Sequence, residues 1–266
     1  MKLAVLSDIH GNLPALRAVL EDVERERVDT IVNLGDILSG PLLPRETADF
    51  LMARDLITIA GNHERQVLQM KDAGGAPDLR SSDGYAVSQL QAPHYDWLRT
   101  LPATHWLADD VLLVHGTPST DLVYWLETIT RDFGNEGSRG IRAASAGEIA
   151  TRMAAGGGAE RASLVLCGHS HVPRVVQSAS TLVVNPGSVG LQAYEDDHVA
   201  RHCTENGSPH ARYAIVERRP AGWTARLCSV AYDWHAMERL AAANGRPDWA
   251  HALATGRMPA LGQWRP

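Results

Sequence analysis

The sequence predicts an α/β protein built on a parallel or mixed sheet. Three observations carry this. Short apolar, β-branched runs suit buried strands, amphipathic runs between them have helical spacing, and a polar Asp, Asn or His closes most of the apolar runs. Strand–helix alternation indicates βαβ units, and in such sheets functional groups collect at the carboxyl edge of the strands.

In chain order, "KLAVLS" reads as a strand, and "LPALRAVLEDVERER" as a helix with Leu13, Leu16, Leu20 and Val23 on one face. "DTIVNLGD", "PRETADFLMAR", "LITIAGN" and "ERQVLQM" continue the alternation as strand, helix, strand and short helix. Residues 71–104 read as loops and short helices, and "VLLVHGTP" as a buried strand. "STDLVYWLETITRDFGNEGSRG" has no clear period, and its aromatic residues and glycines suggest a lid or a substrate-facing insertion. "ASAGEIATRMAA" reads as a helix closed by the glycines of 156–158, followed by strands in "RASLVLCGHSH" and "TLVVNPGSVG". "ARYAIVER" and "WTARLCSV" form a hairpin, and Asp233 to Met258 is helical in two pieces broken at "GRP". The organisation expected is one domain over 1–232 with a helical appendage, 233–266, packed on it.

A chain of 266 residues with 44% hydrophobic and 21% charged residues can bury a large core. Its net charge of -6 argues against a broad basic face for nucleic acid. Cys167, Cys203 and Cys228 make no ligand pattern and suggest free thiols in a reducing compartment. "MKLAVLSD" reaches an acidic residue too soon for a signal peptide, and no stretch approaches roughly 20 apolar residues. The expected location is cytoplasmic, with no membrane partner and a homo-oligomer left open.

The strand ends point to chemistry. They deliver Asp8 and His10 from "SDIHGN", Asp36 from "LGD", Asn62 and His63 from "GNHE", His115 from "LLVHG", and His169 and His171 from "LCGHSH". Taken singly, such an Asp is usually a cap and such a His a hydrogen-bonded core group. Taken together they form a set of carboxylate, amide and imidazole donors without thiolate, which suits Mn, Fe, Zn, Ni or Co. On an extended chain, residues two apart point to the same side, so Asp8 and His10 could grip one ion, as could His169 and His171. Eight donors are too many for one ion that keeps an open position, so two ions fit better, with Asp36 the candidate bridge.

"DIH", "GD", "GNHE", "VHG" and "GHSH", in this order, resemble the calcineurin-like metallophosphoesterases over residues 1 to about 190. "NPGSVG" and "ARYAIVE" extend the resemblance more weakly. It implies a four-layer αββα sandwich of two mixed sheets with the site along one edge. It implies one ion on Asp8, His10, Asp36 and His171, and another on Asp36, Asn62, His115 and His169. It further implies that His63 is the proton donor to the leaving group, while Glu64 organises the turn or caps a helix. A water between the ions would lose a proton and attack phosphorus as hydroxide. Manganese or iron(II) is the expected metal, with zinc, nickel or cobalt as alternatives.

The phosphoprotein phosphatases of the family resemble "GDxVDRG" and "RGNHE", whereas this chain has Ser39, Gly40 and Ala60 at the corresponding places. The arginines that hold phosphate there are missing, and so is the carboxylate partner of His63. Arg65, Arg80 and Arg131 are candidates for phosphate contact, though such residues are more often solvated surface, and "VYWLE" reads either as a surface for stacking a base or as core or a dimer contact. The leading reading is a dimetal phosphoesterase for a small phosphodiester, nucleotide or phosphomonoester. The alternatives are a metal-free protein-binding scaffold of the same fold and a nuclease for single strands. His94, His105, His198, His202, His210, His235 and His251 carry no motif, with His94 and His198 the ones that could face a pocket.

Overall fold

The protein is described here by a computed structural model covering residues 1–156 and 158–259. Gly157 of the triple-glycine turn and residues 260–266 of the expected appendage lie outside the described residues. The chain begins β1 (Lys2–Leu6), α1 (Leu13–Glu26), β2 (Thr30–Asn33), α2 (Pro44–Met52), β3 (Ile57–Thr58), α3 (Asn62–Ala73), α4 (Ser82–Gln89) and α5 (Ala92–Thr100). Next come β4 (Thr104–Ala108), β5 (Val111–Val114), β6 (Glu127–Ile129), β7 (Ile141–Ala143), α6 (Ala146–Ala154) and β8 (Leu164–Leu166). Then follow β9 (Arg174–Ser178), β10 (Thr181–Asn185), β11 (Ala193–Asp196) and β12 (His202–Glu205). The hairpin β13 (Ala211–Arg219) and β14 (Gly222–Val230) precedes α7 (Trp234–Ala243) and α8 (Pro247–Thr255).

Two five-stranded sheets result, ordered β14-β13-β1-β2-β3 and β4-β5-β8-β10-β9. In the first, β1, β2 and β3 are parallel and β13 runs against β1. In the second, β5, β8 and β10 are parallel, and antiparallel β4 and β9 close the edges. Strand periodicity explains the layering. Leu3 and Val5 of β1 face Val111 and Leu113 of β5 in a core between the sheets. Their alternates Ala4 and Leu6 pack under α1, α2 and α3 through Leu16, Ala48 and Val67. Leu112 and Val114 pack on the far side with Ile149 and Met153 of α6. Strands buried on both faces read as unbroken apolar runs, which is why β1, β5 and β8 were conspicuous in the sequence. The αββα sandwich follows.

Several strands were not legible. β6 and β7 have three residues each, too few to show a period, and β11 and β12 are short and polar. The segment "VYWLE" is not a substrate-facing aromatic surface. Tyr124 and Trp125 are 3% and 1% exposed, and Trp125 fills the core beneath α6. α7 and α8 pack through Met237, Ala241, Trp249 and Leu253 onto Leu42, Leu191 and Ala193, loop and strand residues beside the sheet edge.

Candidate active site

Parallel pairing brings the carboxyl ends of β1, β2, β3, β5 and β8 to one edge of the stacked sheets. Asp8, His10 and His171 gather there with one donor atom each within 4.8 Å of the others, and Asp36, His115 and His169 form a second such group. The groups adjoin, with His115 Nε2 3.0 Å from Asp36 Oδ2 and 4.0 Å from Asp8 Oδ1. Asn62, the first residue of α3, gives its amide hydrogen to Gln66, while its Oδ1 is buried without a partner.

The strand-end loops are not extended, contrary to the spacing argument made for Asp8–His10 and His169–His171. Asp8, His10, Asp36, His169 and His171 all have φ between 52° and 68°. Left-handed backbone at non-glycine residues is strained, and such residues cluster where the surrounding structure enforces a functional geometry. Here tight turns, rather than strand alternation, aim the side chains together.

Three imidazoles are locked by backbone carbonyls. The Nδ1 atoms of His10, His115 and His171 lie 2.8, 2.8 and 2.7 Å from the carbonyls of Ser39, Leu34 and Leu191. Since a carbonyl only accepts, each Nδ1 carries the hydrogen and each Nε2 turns toward the site. His10 Nε2 and His171 Nε2 consequently face each other at 3.1 Å. Both Asp8 carboxylate oxygens and Asn62 Oδ1 are buried with no hydrogen-bond partner. Buried carboxylate oxygens without partners are costly, and second-side anchoring of imidazoles is the usual arrangement around a cation. The donor set therefore fits divalent ions.

Charge follows the same division. Burial, reinforced by His171, pushes His10 down to about 4, and burial with the His115 charge takes His169 to about 3. Burial also opposes a charge on His115, but Asp36 outweighs it and lifts the group to about 9. Burial would raise the carboxyls of Asp8 and Asp36, yet the imidazoles of His171 and His115 hold both below the usual range. The centre is a pair of carboxylates that demands positive charge.

The "GNHE" turn is built around Glu64. Its carboxylate accepts from the amides of Asp36 at 2.7 Å, Ile37 at 2.8 Å and Gly61 at 2.8 Å, joining the turns after β2 and β3. Burial raises its pKa. Asp36 Oδ1 in turn accepts from the His63 amide at 3.0 Å. A side chain at Gly61 would put its Cβ 2.2 Å from that same oxygen, so only glycine fits. His63 keeps 27% of its side chain exposed, and its Nδ1 lies 2.8 Å from Asp83 Oδ1 on α4. Burial works against its charge, but the carboxylates of Asp36 and Asp83 outweigh it and lift the pKa to about 10.

"NPGSVG" clamps the site from behind. Asn185 Nδ2 donates to Gly168 O and Ser170 Oγ, while Ser188 Oγ and Gly190 N both donate to Asp8 O. The rings of Tyr124 and Tyr194 lie 4.7 and 4.6 Å from those of His169 and His171, with their hydroxyls paired at 2.6 Å. Asp83 and Tyr194 escaped the sequence reading, and Asn185 and Tyr124 entered it only as letters of "NPGSVG" and "VYWLE" without these roles, because no local pattern marks residues that act only through folded contacts.

Of the three arginines proposed for phosphate, Arg65 is engaged by both oxygens of Asp121, and Arg131 is not among the residues lining the cleft. Arg80 does line it, 92% exposed beside Asp78. His94 is held between Asp49 and the Gln91 amide, whereas His198 lines the cleft. The cleft, about 830 Å³, holds His10, Asp36, Asn62, His63, His169 and His171 on one side. Trp249, Arg246 and Leu191 are on its wall. The cysteines are free, and no helix among the described residues is long and apolar enough to cross a membrane.

Comparisons with known proteins agree with this architecture. Residues 1–207 match the calcineurin-like phosphoesterase superfamily domain. A metallophosphoesterase from Sphaerobacter thermophilus superposes with a TM-score of 0.72 at 27% identity, over 97% of this chain and 100% of that one. An uncharacterised protein from Methanocaldococcus jannaschii is 24% identical over 264 residues, covering 93% of this chain and 94% of that protein. Phosphodiesterase YfcE of Escherichia coli K12 is 39% identical over 80 residues, which span 26% of this chain and 44% of that enzyme.

Proposed function

The chain belongs to the calcineurin-like phosphoesterase superfamily, whose members include metal-dependent phosphoric ester hydrolases, and we propose that it hydrolyses a small phosphodiester or nucleotide, with phosphomonoesters as the second class. The observation that carries this reading is the pair of adjoining donor groups, with imidazoles locked Nε2-inward, on the floor of a cleft of about 830 Å³. Asp8, His10, Asp36 and His171 would hold one divalent cation, and Asp36, Asn62, His115 and His169 the other. Such a pair neutralises phosphoryl oxygens and lowers the pKa of water. Manganese or iron(II) best suits the oxygen and nitrogen donors.

The chain's own residues supply the rest. His63 gives its Nδ1 hydrogen to Asp83, leaving Nε2 to carry a proton to the departing oxygen. Glu64 fixes His63 and Asp36 in one turn, so the His63 imidazole and the Asp36 carboxylate cannot move independently. Apolar Leu191 and Trp249, with Arg80 and Arg201, offer both apolar and cationic surface to an organic phosphate. Residues 1–232 would form the catalytic domain and 233–266 an appendage, whose residues 245–259 contribute to the cleft wall. Retention of every donor and of His63 argues against a scaffold.

The test is turnover of bis(p-nitrophenyl) phosphate and p-nitrophenyl phosphate by ion-stripped protein. Activity should return with Mn²⁺ and favour the diester. Hydrolysis undiminished by a chelator, or none with Mn²⁺, Fe²⁺, Zn²⁺, Ni²⁺ or Co²⁺, would overturn the reading.

A further inference from the structure

We propose that the junction between α7 and α8, outside the segment matched by the family domain, is a positioning element for His63 and acts through α4. This rests on His63 being the proton donor. His63 depends for its orientation on Asp83, and Asp83 sits on a helix of eight residues. A helix so short is marginal alone and takes its position from tertiary contacts. Two of those contacts come from the junction. Arg246 Nη1 donates to Ser82 Oγ at 3.1 Å, one residue from Asp83, and Asn244 Nδ2 lies 2.9 Å from the Tyr85 hydroxyl, two residues beyond Asp83.

The junction is itself rigidly placed. The Arg246 guanidinium is forked onto Asp248 at 2.9 and 2.6 Å and is 17% exposed, so it is aimed before it reaches Ser82. Asn244 also donates to Pro41 O. Trp249 stands edge-on to His10 at 5.8 Å and lies so close to Gly40 that a Cβ there would meet its ring at 2.6 Å. Gly40 N donates to Ser82 O at 3.2 Å, completing a ring of contacts through the loop after Asp36, α4 and the junction. The carboxylate partner of His63 that the phosphatase pattern places in the loop after Asp36 is thus supplied by Asp83 on α4. Arg246 and Asn244 are positioning residues.

The experiment reads leaving-group dependence. Nitrophenolate departs without a proton, while phenolate from diphenyl phosphate gains more from one. The ratio of bis(p-nitrophenyl) to diphenyl phosphate turnover should rise about a hundredfold in H63A and D83N, and about tenfold in R246A and S82A. S82A removes only the acceptor hydroxyl and covers the case in which R246A does not fold. Hydrogen exchange in ion-free protein supplies a second readout, and amides of 82–89 should exchange faster in R246A. A ratio shifted in H63A but unchanged in R246A and S82A, with normal exchange at 82–89, would overturn this proposal alone. So would an equal loss on both esters, which marks a merely structural role. An unchanged ratio in H63A would overturn the proton-donor reading and this proposal with it.

Discussion

The floor of the cleft and the wall that carries His63 are held by different means. On the floor, His10, His115 and His171 are each oriented by a backbone carbonyl. On the wall, His63 is oriented by the Asp83 carboxylate, which in turn relies on side chains from the α7–α8 junction. Backbone carbonyls are supplied by any residue, so substitution behind the floor histidines leaves their anchors in place. A side-chain relay fails wherever one member is replaced. The floor should therefore tolerate change in its surroundings, and the wall should be where close relatives of the fold diverge in chemistry.

Removal of Asp36 should have the largest effect, since its oxygens meet both His115 Nε2 and the His63 amide. Asp36→Ala should reduce turnover to that of ion-stripped protein, with bound metal lost on elemental analysis. His63→Ala should cost about 10²–10⁴-fold in turnover of an ester with a poor leaving group such as diphenyl phosphate, while bound metal stays at the wild-type level. Loss of metal in that variant would move His63 to the floor and erase the distinction. Asn185→Ala removes a side chain that braces the turn of His169 and His171 beside Tyr194 and Asn206, and a loss of about 10–100-fold in ion affinity is expected by titration. Ser39→Ala should do least. Its carbonyl, not its hydroxyl, holds His10, and that hydroxyl is buried without a partner. Denaturant unfolding should stay within about 0.5 kcal/mol of wild type. A drop in ion content in Ser39→Ala would show that the floor leans on side chains after all.

How much could be read in advance follows the same division. Apolar runs ending in "SD", "GD", "GN", "VHG" and "GHSH" mark both the strands and the donors, because a buried parallel strand needs a continuous apolar stretch and its carboxyl end faces the site. Six of the residues those endings name, Asp8, His10, Asp36, His115, His169 and His171, bring their donor atoms together at the sheet edge. Glu64 was legible as a turn organiser, but its reach to Asp36 and Ile37, 28 and 27 residues away, was not. Tyr124 and Trp125 read equally as a stacking surface or as core, and only the packing of α6 over β5 and β8 decides for core at Trp125.

By itself the sequence determined the alternation of strands and helices around a parallel or mixed sheet and the candidate oxygen and nitrogen donors, since both depend on local hydrophobic period and on residue type at strand ends; the four layers followed only from the family resemblance. Tertiary structure alone decided how those donors are aimed, through left-handed turns at Asp8, His10, Asp36, His169 and His171, and which carboxylate serves His63. Asp83 lies 20 residues from His63 on a helix with no motif, and Arg246 lies 164 residues from Ser82. Contacts of that range arise from packing of separate elements, and no periodicity along the chain encodes them.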